Sequence, residues 1–306
     1  MVKKIKRTRK VKKKISTRVR HIHKGVRKNI ALVFFICLLF LVLGFFLIKV
    51  IKNPPHFFLP IITAIFPGTK RDLVIETYKN EVTNGDRNRK QVALTFDADM
   101  TPGMKELILS KQVEGAYNKK VIDILNQTHT KATLFLTGMW IEMYPQETGE
   151  FSINPLFELG NHSYSHGSFF GECYGLRYIP EKEKPSEIQK TQTLLEKYAH
   201  VKSYLFRFPG GCHSENDLEL VRENGIVTVQ WDVAGDDGFN QDANSIIYKV
   251  IHETQNGSII VLHLQGAPNA PKTADALPEI ISKLKEKGFE FVKISELLNL
   301  PGEMRL

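Results

Sequence analysis

The chain has 306 residues, of which 42 are Lys or Arg and 33 are Asp or Glu, so its formal net charge is +9. Fourteen of the basic residues lie within residues 1–28, which contain no acidic residue; 28 basic and 33 acidic residues remain, a net charge of −5. The positive charge therefore belongs to an N-terminal tail, and the charge of the main part gives no support for nucleic-acid binding.

Residues 30–48 form an uncharged apolar run of nineteen residues directly after this tail. A helix of that length spans about 30 Å of hydrocarbon, and the basic excess before it predicts a cytoplasmic N-terminus. A cleaved signal peptide would have an apolar core of only about 7–15 residues followed by small residues, whereas Lys49, Lys52 and Pro54-Pro55 follow here. We therefore predict a signal anchor at residues 29–51, in the plasma membrane, with all later residues outside the cytoplasm.

Residues 52–88 lack clear periodicity and are predicted to form a stem. From residue 89 to 306, short β-rich apolar runs alternate with helical patterns, which indicates an α/β fold with a parallel sheet. About 215 residues with this many units predict a single closed or nearly closed (β/α) barrel. Strands are predicted at residues 92–96, 132–136, 205–208, 226–231, 259–263 and 289–294, and helices at 119–126, 187–198, 244–255 and 277–287.

Three cysteines are present, and Cys37 lies within the apolar run. Cys173 and Cys212 follow in the exported part, where a disulfide could persist. A bridge between these two and a pair of free, buried thiols are both compatible with the sequence.

Three polar motifs follow predicted strands: Thr-Phe-Asp-Ala-Asp at 95–99, His-Ser-Tyr-Ser-His at 162–166 and Arg-Phe-Pro-Gly at 207–210. In β/α barrels the functional groups lie at the C-terminal ends of strands, so these motifs are predicted to meet. Two aspartates, two histidines and an arginine supply ligands, a base and an orienting cation. Together they indicate a divalent-metal hydrolase.

Each motif also has an ordinary structural interpretation. Asp97 and Asp99 point to the same side of a strand, where one could bind metal while the other moves a proton, but Asp-rich turns are common. His162 and His166 can reach one ion, although loop histidines are more often solvated. Arg207 would hold Asp97 ionised, or simply begin a turn.

A fourth candidate is His263, which follows an apolar strand. A lone histidine there is most often a satisfied polar group, but a protonated imidazole at a barrel mouth is also a natural general acid for an amine leaving group. Asp237 could orient the ring and raise its pKa.

With these motifs, the chain from about residue 90 to 300 resembles the polysaccharide deacetylase family, the NodB-homology or carbohydrate esterase family four hydrolases. The family pattern is Thr-Phe-Asp-Asp-Gly-Pro, His-Ser/Thr-x-x-His, Arg-x-Pro-x-Gly, an Asp-Trp segment and Leu-x-His. Its counterparts lie here in the same order, at residues 95–100, 162–166, 207–211, 237–238 and 261–263.

The resemblance implies a distorted (β/α) barrel with a divalent metal held by an aspartate together with His162 and His166. Zn²⁺ is the expected ion. Asp97 would be the base that takes a proton from the attacking water, and His263 would protonate the departing sugar amine. The remaining implied roles concern supporting and substrate-contacting residues: Arg207 steadies Asp97, Asp237 tunes His263, Val261 replaces the leucine of the acetyl-methyl pocket, and Pro209 and Gly210 contact substrate.

Besides Val261 in place of leucine, the chain departs from the family pattern at three places. The metal-binding aspartate falls on Ala98, and we expect Asp99 to replace it through a local backbone shift; otherwise the ion would rest on the two histidines with Asp97 or water. Gly238 replaces the usual groove tryptophan. Residues 102–117 are longer than the usual connection and are predicted to form a loop over the mouth.

The sequence thus predicts a membrane-anchored, extracytoplasmic, metal-dependent N-deacetylase that acts on an N-acetylated cell-surface glycan. Peptidoglycan is the favoured substrate, and a chitin-like polymer is the alternative. O-deacetylation of xylan would need the same metal and base. A second hypothesis is a catalytically impaired glycan-binding or wall-assembly protein, for which Ala98 is the best argument; the retention of Asp97, Arg207 and His263 argues against it.

Overall fold

The structure is a computed structural model that describes residue 78 and residues 80–266, 268–300 and 302–306. The predicted basic tail, the signal anchor at residues 29–51 and the first part of the stem lie outside these residues, as does Cys37. Within the described part of the chain, no helix combines the length and apolar character needed to cross a membrane.

A parallel sheet forms the centre of the fold. Its strands are β1 (Gln91–Ala98), β2 (Ala132–Leu136), β3 (Phe157–Asn161), β5 (Leu205–Phe206), β6 (Val227–Thr228), β7 (Val233–Ala234), β8 (Ile259–His263) and β9 (Glu290–Phe291), and a separate antiparallel pair consists of β4 (Val201–Lys202) and β10 (Met304–Arg305). The strand order is β6–β5–β3–β2–β1–β8–β7, and β9 pairs with the start of β1.

Helices connect the strands of this sheet. They are α1 (Pro102–Leu109), α2 (Lys119–Gln127), α3 (Gly138–Met143), α4 (Pro145–Ile153), α5 (Lys184–Ala199), α6 (Glu215–Glu223), α7 (Ala243–Glu253), α8 (Thr273–Glu286) and α9 (Ile294–Leu298). The predicted α/β class with a parallel sheet is confirmed, and the sheet curls into part of a barrel.

The central strand β1 is buried on both faces, as expected for a parallel strand. Helices cover one face, and the other lies inside the curled sheet. Leu94, Phe96 and Ala98 pack into the large apolar cluster that includes helices α2 and α8. Because side chains alternate along a strand, Thr95 and Asp97 face the interior of the curled sheet. This alternation places Asp97, and not Ala98, on the interior side.

Residues 82–84 bond to the sheet although the sequence places them in the stem. Val82 pairs with Val229, directly after β6, and Asn84 pairs with Ser258, directly before β8. The hydrogen-bonded part of the domain therefore begins before the predicted boundary at residue 89.

The sequence missed several elements. The predicted loop over the mouth at 102–117 is wrong in part, because α1 forms there: Pro102 occupies its first turn and the Thr101 hydroxyl caps it by accepting from the Met104 backbone N–H. Strand β3 carries Glu158 and Gly160, which lack strand propensity. A Cβ at Gly160 would lie 2.4 Å from the Phe135 ring, so close packing against β2 requires glycine.

Candidate active site

A cavity of about 600 Å³ lies at the C-terminal ends of the central strands. The predicted residues Asp97, Asp99, His166 and His263 all line it. Asp97 is in register with His263 on the neighbouring strand β8, which brings the first and last motifs side by side. The motifs therefore converge on one site, as the strand-end rule predicts.

Asp99, His162 and His166 form a compact triangle. Asp99 Oδ1 lies 3.4 Å from His162 Nε2 and 3.3 Å from His166 Nε2. The three ligand-type atoms lie within 4.8 Å of one another. One carboxylate and two imidazoles on such a triangle are a suitable donor set for Zn²⁺ or a similar divalent cation.

The orientation of His162 is fixed by its other ring nitrogen. His162 Nδ1 lies 2.9 Å from the Arg207 carbonyl oxygen, which can only accept a hydrogen bond, so Nδ1 carries the proton. Nε2 then faces Asp99 and is the ring nitrogen available to a metal ion. A backbone carbonyl behind a histidine is the usual support of a metal-binding imidazole.

The loop that carries the two histidines has an unusual backbone. Ser163 and His166 adopt positive φ angles of 63° and 53°, which non-glycine residues rarely do. The Asn161 side chain accepts from the Ser163 N–H, and the Glu187 carboxylate accepts from the backbone N–H groups of residues 164 and 165. These bonds stabilise the tight turn that returns His166 to the same point as His162.

Asp99 itself is suited to a cation. Its Oδ1 atom is buried and accepts no hydrogen bond from any residue that the structure describes. Burial favours the neutral acid, but His166 and His162 hold the pKa of Asp99 well below its usual range. An ionised, orphaned carboxylate oxygen beside two imidazoles fits a divalent ion.

Ala98, where the family pattern has its metal-binding aspartate, lies outside this triangle. Its side chain is fully buried in the apolar cluster behind the sheet, and its carbonyl oxygen accepts from the Thr137 N–H and hydroxyl groups. The carboxylate oxygen that lies within 3.4 Å of both histidine Nε2 atoms belongs to Asp99.

Asp97 forms a buried ion pair with Arg207. Arg207 Nη1 donates to Asp97 Oδ1 at 2.7 Å and to the Thr95 hydroxyl at 2.8 Å. Its guanidinium also donates to two carbonyl groups, those of residues 229 and 230, and lies 4.0 Å from the Phe135 ring centre. With all these partners Arg207 is rigid, and it keeps Asp97 aimed at the cavity.

His263 forms the other side of the site with Asp237. His263 Nδ1 lies 2.8 Å from Asp237 Oδ1, and its backbone N–H donates to Asp237 Oδ2. Burial opposes the charged imidazole, but the Asp237 carboxylate, with smaller effects of Asp99 and Asp97, raises the pKa of His263 to about 10. His263 Nε2 therefore carries a proton at neutral pH and faces the cavity.

Thr273 completes this pair and was not predicted. Its hydroxyl donates to Asp237 Oδ2 at 2.5 Å, across 36 residues of sequence, so that the fully buried Asp237 carboxylate has three hydrogen-bond partners. Threonine at the start of a helix carries no local signal for such a contact.

Two of the three predicted substrate-contacting residues line the same cavity. Val261 and Gly210 line it, and Gly210 requires its glycine because its φ angle is +62°. Pro209 is buried in the short 3₁₀ turn Pro209–Gly211. Gly238 lies over His263, where an added Cβ would approach the imidazole Cε1 to 3.2 Å.

Cys173 and Cys212 are joined by a disulfide, with a Cα–Cα distance of 6.2 Å. The sequence left this bridge and free thiols open. It connects the loop after the two histidines with the turn after Arg207.

Several known proteins are similar to this chain. A model of the family described as polysaccharide deacetylase matches residues 84–229. A peptidoglycan-N-acetylglucosamine deacetylase of Bacillus cereus is 30% identical over 222 residues, which cover 72% of this chain and 73% of that protein. The peptidoglycan-N-acetylmuramic acid deacetylase PdaA of Bacillus subtilis is 28% identical over 78% of this chain and 82% of that protein.

Solved structures show the same fold. A crystal structure of the Bc1960 peptidoglycan N-acetylglucosamine deacetylase is 28% identical, with a TM-score of 0.63 over 76% of this chain and 98% of that one. A mutant of BA3943, described as a CE4 family pseudoenzyme with restored enzymatic activity, is 25% identical, with a TM-score of 0.59 over 72% of this chain and 71% of that one. By its motifs in order, its fold and these relatives, the chain belongs to the polysaccharide deacetylase family.

Proposed function

We propose that this protein is a membrane-anchored, extracytoplasmic, metal-dependent deacetylase that removes acetyl groups from the N-acetylated sugars of peptidoglycan. The observation that carries the proposal is the orphaned Asp99 Oδ1 between two histidine Nε2 atoms, flanked by a carboxylate fixed by arginine and an imidazole fixed by aspartate. A purely structural cluster would have no need of this arrangement.

Asp99, His162 and His166 would hold the metal. A divalent cation bound there supplies a Lewis acid that polarises the amide carbonyl and acidifies water. The carbonyl of Arg207 contributes indirectly, because it fixes the His162 ring with Nε2 directed toward Asp99.

Asp97 would act as the general base. Its Oδ1 atom is held by Arg207, while its Oδ2 atom lies 3.6 Å from His162 Nε2, near the proposed metal position. A water in the cavity would give its proton to Asp97 as its oxygen adds to the amide carbonyl carbon. The fully buried Arg207 holds this carboxylate in place through its hydrogen bond to Oδ1.

His263 would act as the general acid. Asp237 holds Nδ1–H, so the proton on Nε2 is the one that faces the cavity. When the C–N bond of the tetrahedral species breaks, this proton passes to the sugar amine, and acetate and the free amine leave. The raised pKa of His263, caused mainly by the Asp237 carboxylate, favours a charged ring before this step.

Three further observations support the compartment and the substrate. The uncharged run at 30–48 with its basic N-terminal flank favours anchoring with the domain outside. The disulfide between Cys173 and Cys212 is typical of exported domains and rare in the cytosol. The relatives described above are named as peptidoglycan deacetylases, which favours peptidoglycan as the substrate.

The experiment measures acetate release by the full-length chain, purified in a mild detergent, from peptidoglycan fragments, N-acetylglucosamine oligomers and acetylated xylan. We expect wild type to release acetate from the N-acetylated substrates, with release abolished by chelator and restored by Zn²⁺, and we expect Asp97→Asn to release it on the order of 10³-fold more slowly. Faster release from xylan would contradict N-deacetylation.

A catalytically impaired glycan-binding protein is the second candidate, because Ala98 breaks the family motif and a pseudoenzyme is among the similar structures. It predicts glycan binding with no acetate release from any substrate in the presence of Zn²⁺.

Protease digestion of intact and permeabilised cells tests the location: the domain should be cleaved in both if it lies outside.

A further inference from the structure

Two aromatic rings stand exposed at the mouth of the active-site cavity. Tyr174 and Phe239 both line it, yet their exposed fractions are 75% and 81%. Their ring centroids are 6.4 Å apart and the ring planes differ by 27°, so the two faces are nearly parallel. Large exposed apolar side chains clustered at a groove commonly mark a ligand-binding surface.

The position of Tyr174 is fixed although its ring is exposed. Tyr174 follows Cys173, whose disulfide to Cys212 pins this loop onto the turn Pro209–Gly211, next to Arg207. Gly210 permits the contact: a Cβ there would lie 2.6 Å from Cys173 Sγ and 3.1 Å from the Tyr174 ring. The disulfide therefore holds an exposed ring at a set place beside the catalytic cavity.

Phe239 is fixed from the other side of the mouth. It lies at a turn in which its backbone N–H donates to the Asp236 carbonyl, and the Asp236 carboxylate is paired with Lys249 of α7. In the family pattern position 238 holds the groove tryptophan. Here it is Gly238, which lies so close to the His263 ring that a Cβ would press against it. An aromatic side chain is compatible with this turn at position 239 rather than at 238.

The chemistry of the mouth matches a neutral sugar chain. The described lining residues include four carboxylates, Asp97, Asp99, Asp236 and Asp237, and among them is no lysine or arginine. The described lining therefore offers an anionic sugar no lysine or arginine to pair with, whereas the C–H faces of a neutral pyranose ring pack on the negative faces of aromatic rings.

We propose that Tyr174 and Phe239 form an aromatic platform that binds a second, neutral N-acetylhexosamine unit of a β-linked chain while another unit occupies the reaction site. This platform makes the protein selective for polymers over single sugars. The proposal rests on the proposed function for the identity of the reacting unit, but the binding of the neighbouring unit needs neither metal nor catalysis.

The test compares the full-length chain with Phe239→Ala and Tyr174→Ala, using N-acetylglucosamine and its β-1,4-linked pentamer as probes. Two readouts are used: calorimetric binding of the pentamer in chelator, and acetate release with Zn²⁺. We expect the Kd and KM for the pentamer to rise about tenfold in each variant with kcat nearly unchanged, and no change with the monomer. Phe239→Trp should restore the wild-type values.

Tyr248→Ala is the matched control, since Tyr248 is a similarly exposed ring (65%) on α7 that does not line the cavity. It should bind the pentamer like wild type. Pentamer binding that is equal in wild type and Phe239→Ala overturns the platform, even if acetate is released. Platform-dependent binding with no acetate release supports the platform and defeats the proposed activity, so the two failures are distinguishable.

Discussion

Two buried ion pairs in this domain have the same geometry and different surroundings. Arg207 Nη1 lies 2.7 Å from Asp97 Oδ1, and Lys184 Nζ lies 2.7 Å from Asp217 Oδ1. Side-chain exposure is 0% and 6% in the first pair and 1% in both members of the second. Neither distance nor burial distinguishes a functional pair from a structural one.

The difference lies in the second oxygen of each carboxylate. Asp217 Oδ2 accepts from the backbone N–H and the hydroxyl of Ser214, in the capping box that begins α6. Asp97 Oδ2 instead faces the cavity, 3.6 Å from His162 Nε2. A carboxylate saturated by protein donors stabilises the fold, whereas one with an oxygen left toward a cavity is available for chemistry.

The sharpest way to break this comparison is Asp97→Asn. The amide oxygen still accepts from Arg207, so the fold should remain, but the base is lost and kcat should fall on the order of 10³-fold. Acetate release from the pentamer measures this, and thermal unfolding monitors the fold. A loss of activity matched by a large fall in Tm would place Asp97 in the same structural class as Asp217.

The reciprocal change is Lys184→Met. It leaves the Asp217 charge buried without its ammonium partner and should lower the free energy of unfolding by about 3 kcal/mol, measured by urea titration. The kcat at a temperature where the variant is folded should stay at the wild-type value. Lys182→Met, two residues away and exposed, is the control and should leave both quantities unchanged. A fall in kcat for Lys184→Met at full folding would contradict the division.

Asp99→Ala sharpens the comparison at the proposed metal position. Loss of this carboxylate should weaken Zn²⁺ binding by more than about 100-fold, since even the outer partners of metal ligands contribute roughly 10- to 100-fold. Competition with a coloured chelator measures the affinity. The double variant Ala98→Asp with Asp99→Ala moves the carboxylate to the family position; it should not restore binding, because residue 98 faces the apolar cluster. Restored binding would show that β1 can shift by one residue.

Much of this site could be predicted because its information is local. Strand alternation placed Asp97 and Asp99 on one side, and the ends of predicted strands placed Arg207 and His263 at the same edge. The contacts that complete the site are not local. The bond between Thr273 and Asp237 depends on how α8 packs against the sheet.

The elements that the sequence missed have the same origin. Strand β3 contains Gly160, which lowers strand propensity and is required only because the Phe135 ring of the neighbouring strand lies against it. The disulfide was left open because the sequence separation of 39 residues between Cys173 and Cys212 does not reveal their distance in space. Residues 82–84 join the sheet through partners more than a hundred residues away.

The smallest expected effect concerns the pair of His263 and Asp237, which is saturated on the Asp237 side and open on the His263 side. The folded-state pKa of His263, about 10, lies above the ordinary 6.5. The stability that the charged His263 contributes is therefore fully present below pH 6.5 and is lost as pH rises toward 10. In Asp237→Asn the main cause of this raised pKa is removed. In chelator, the advantage of wild type over Asp237→Asn in free energy of unfolding should therefore decrease steadily between pH 6.5 and 10, measured by urea titration at several pH values. An advantage that is constant over this range would mean that His263 is neutral in the folded protein, and His263 could not then act as the acid that protonates the leaving amine.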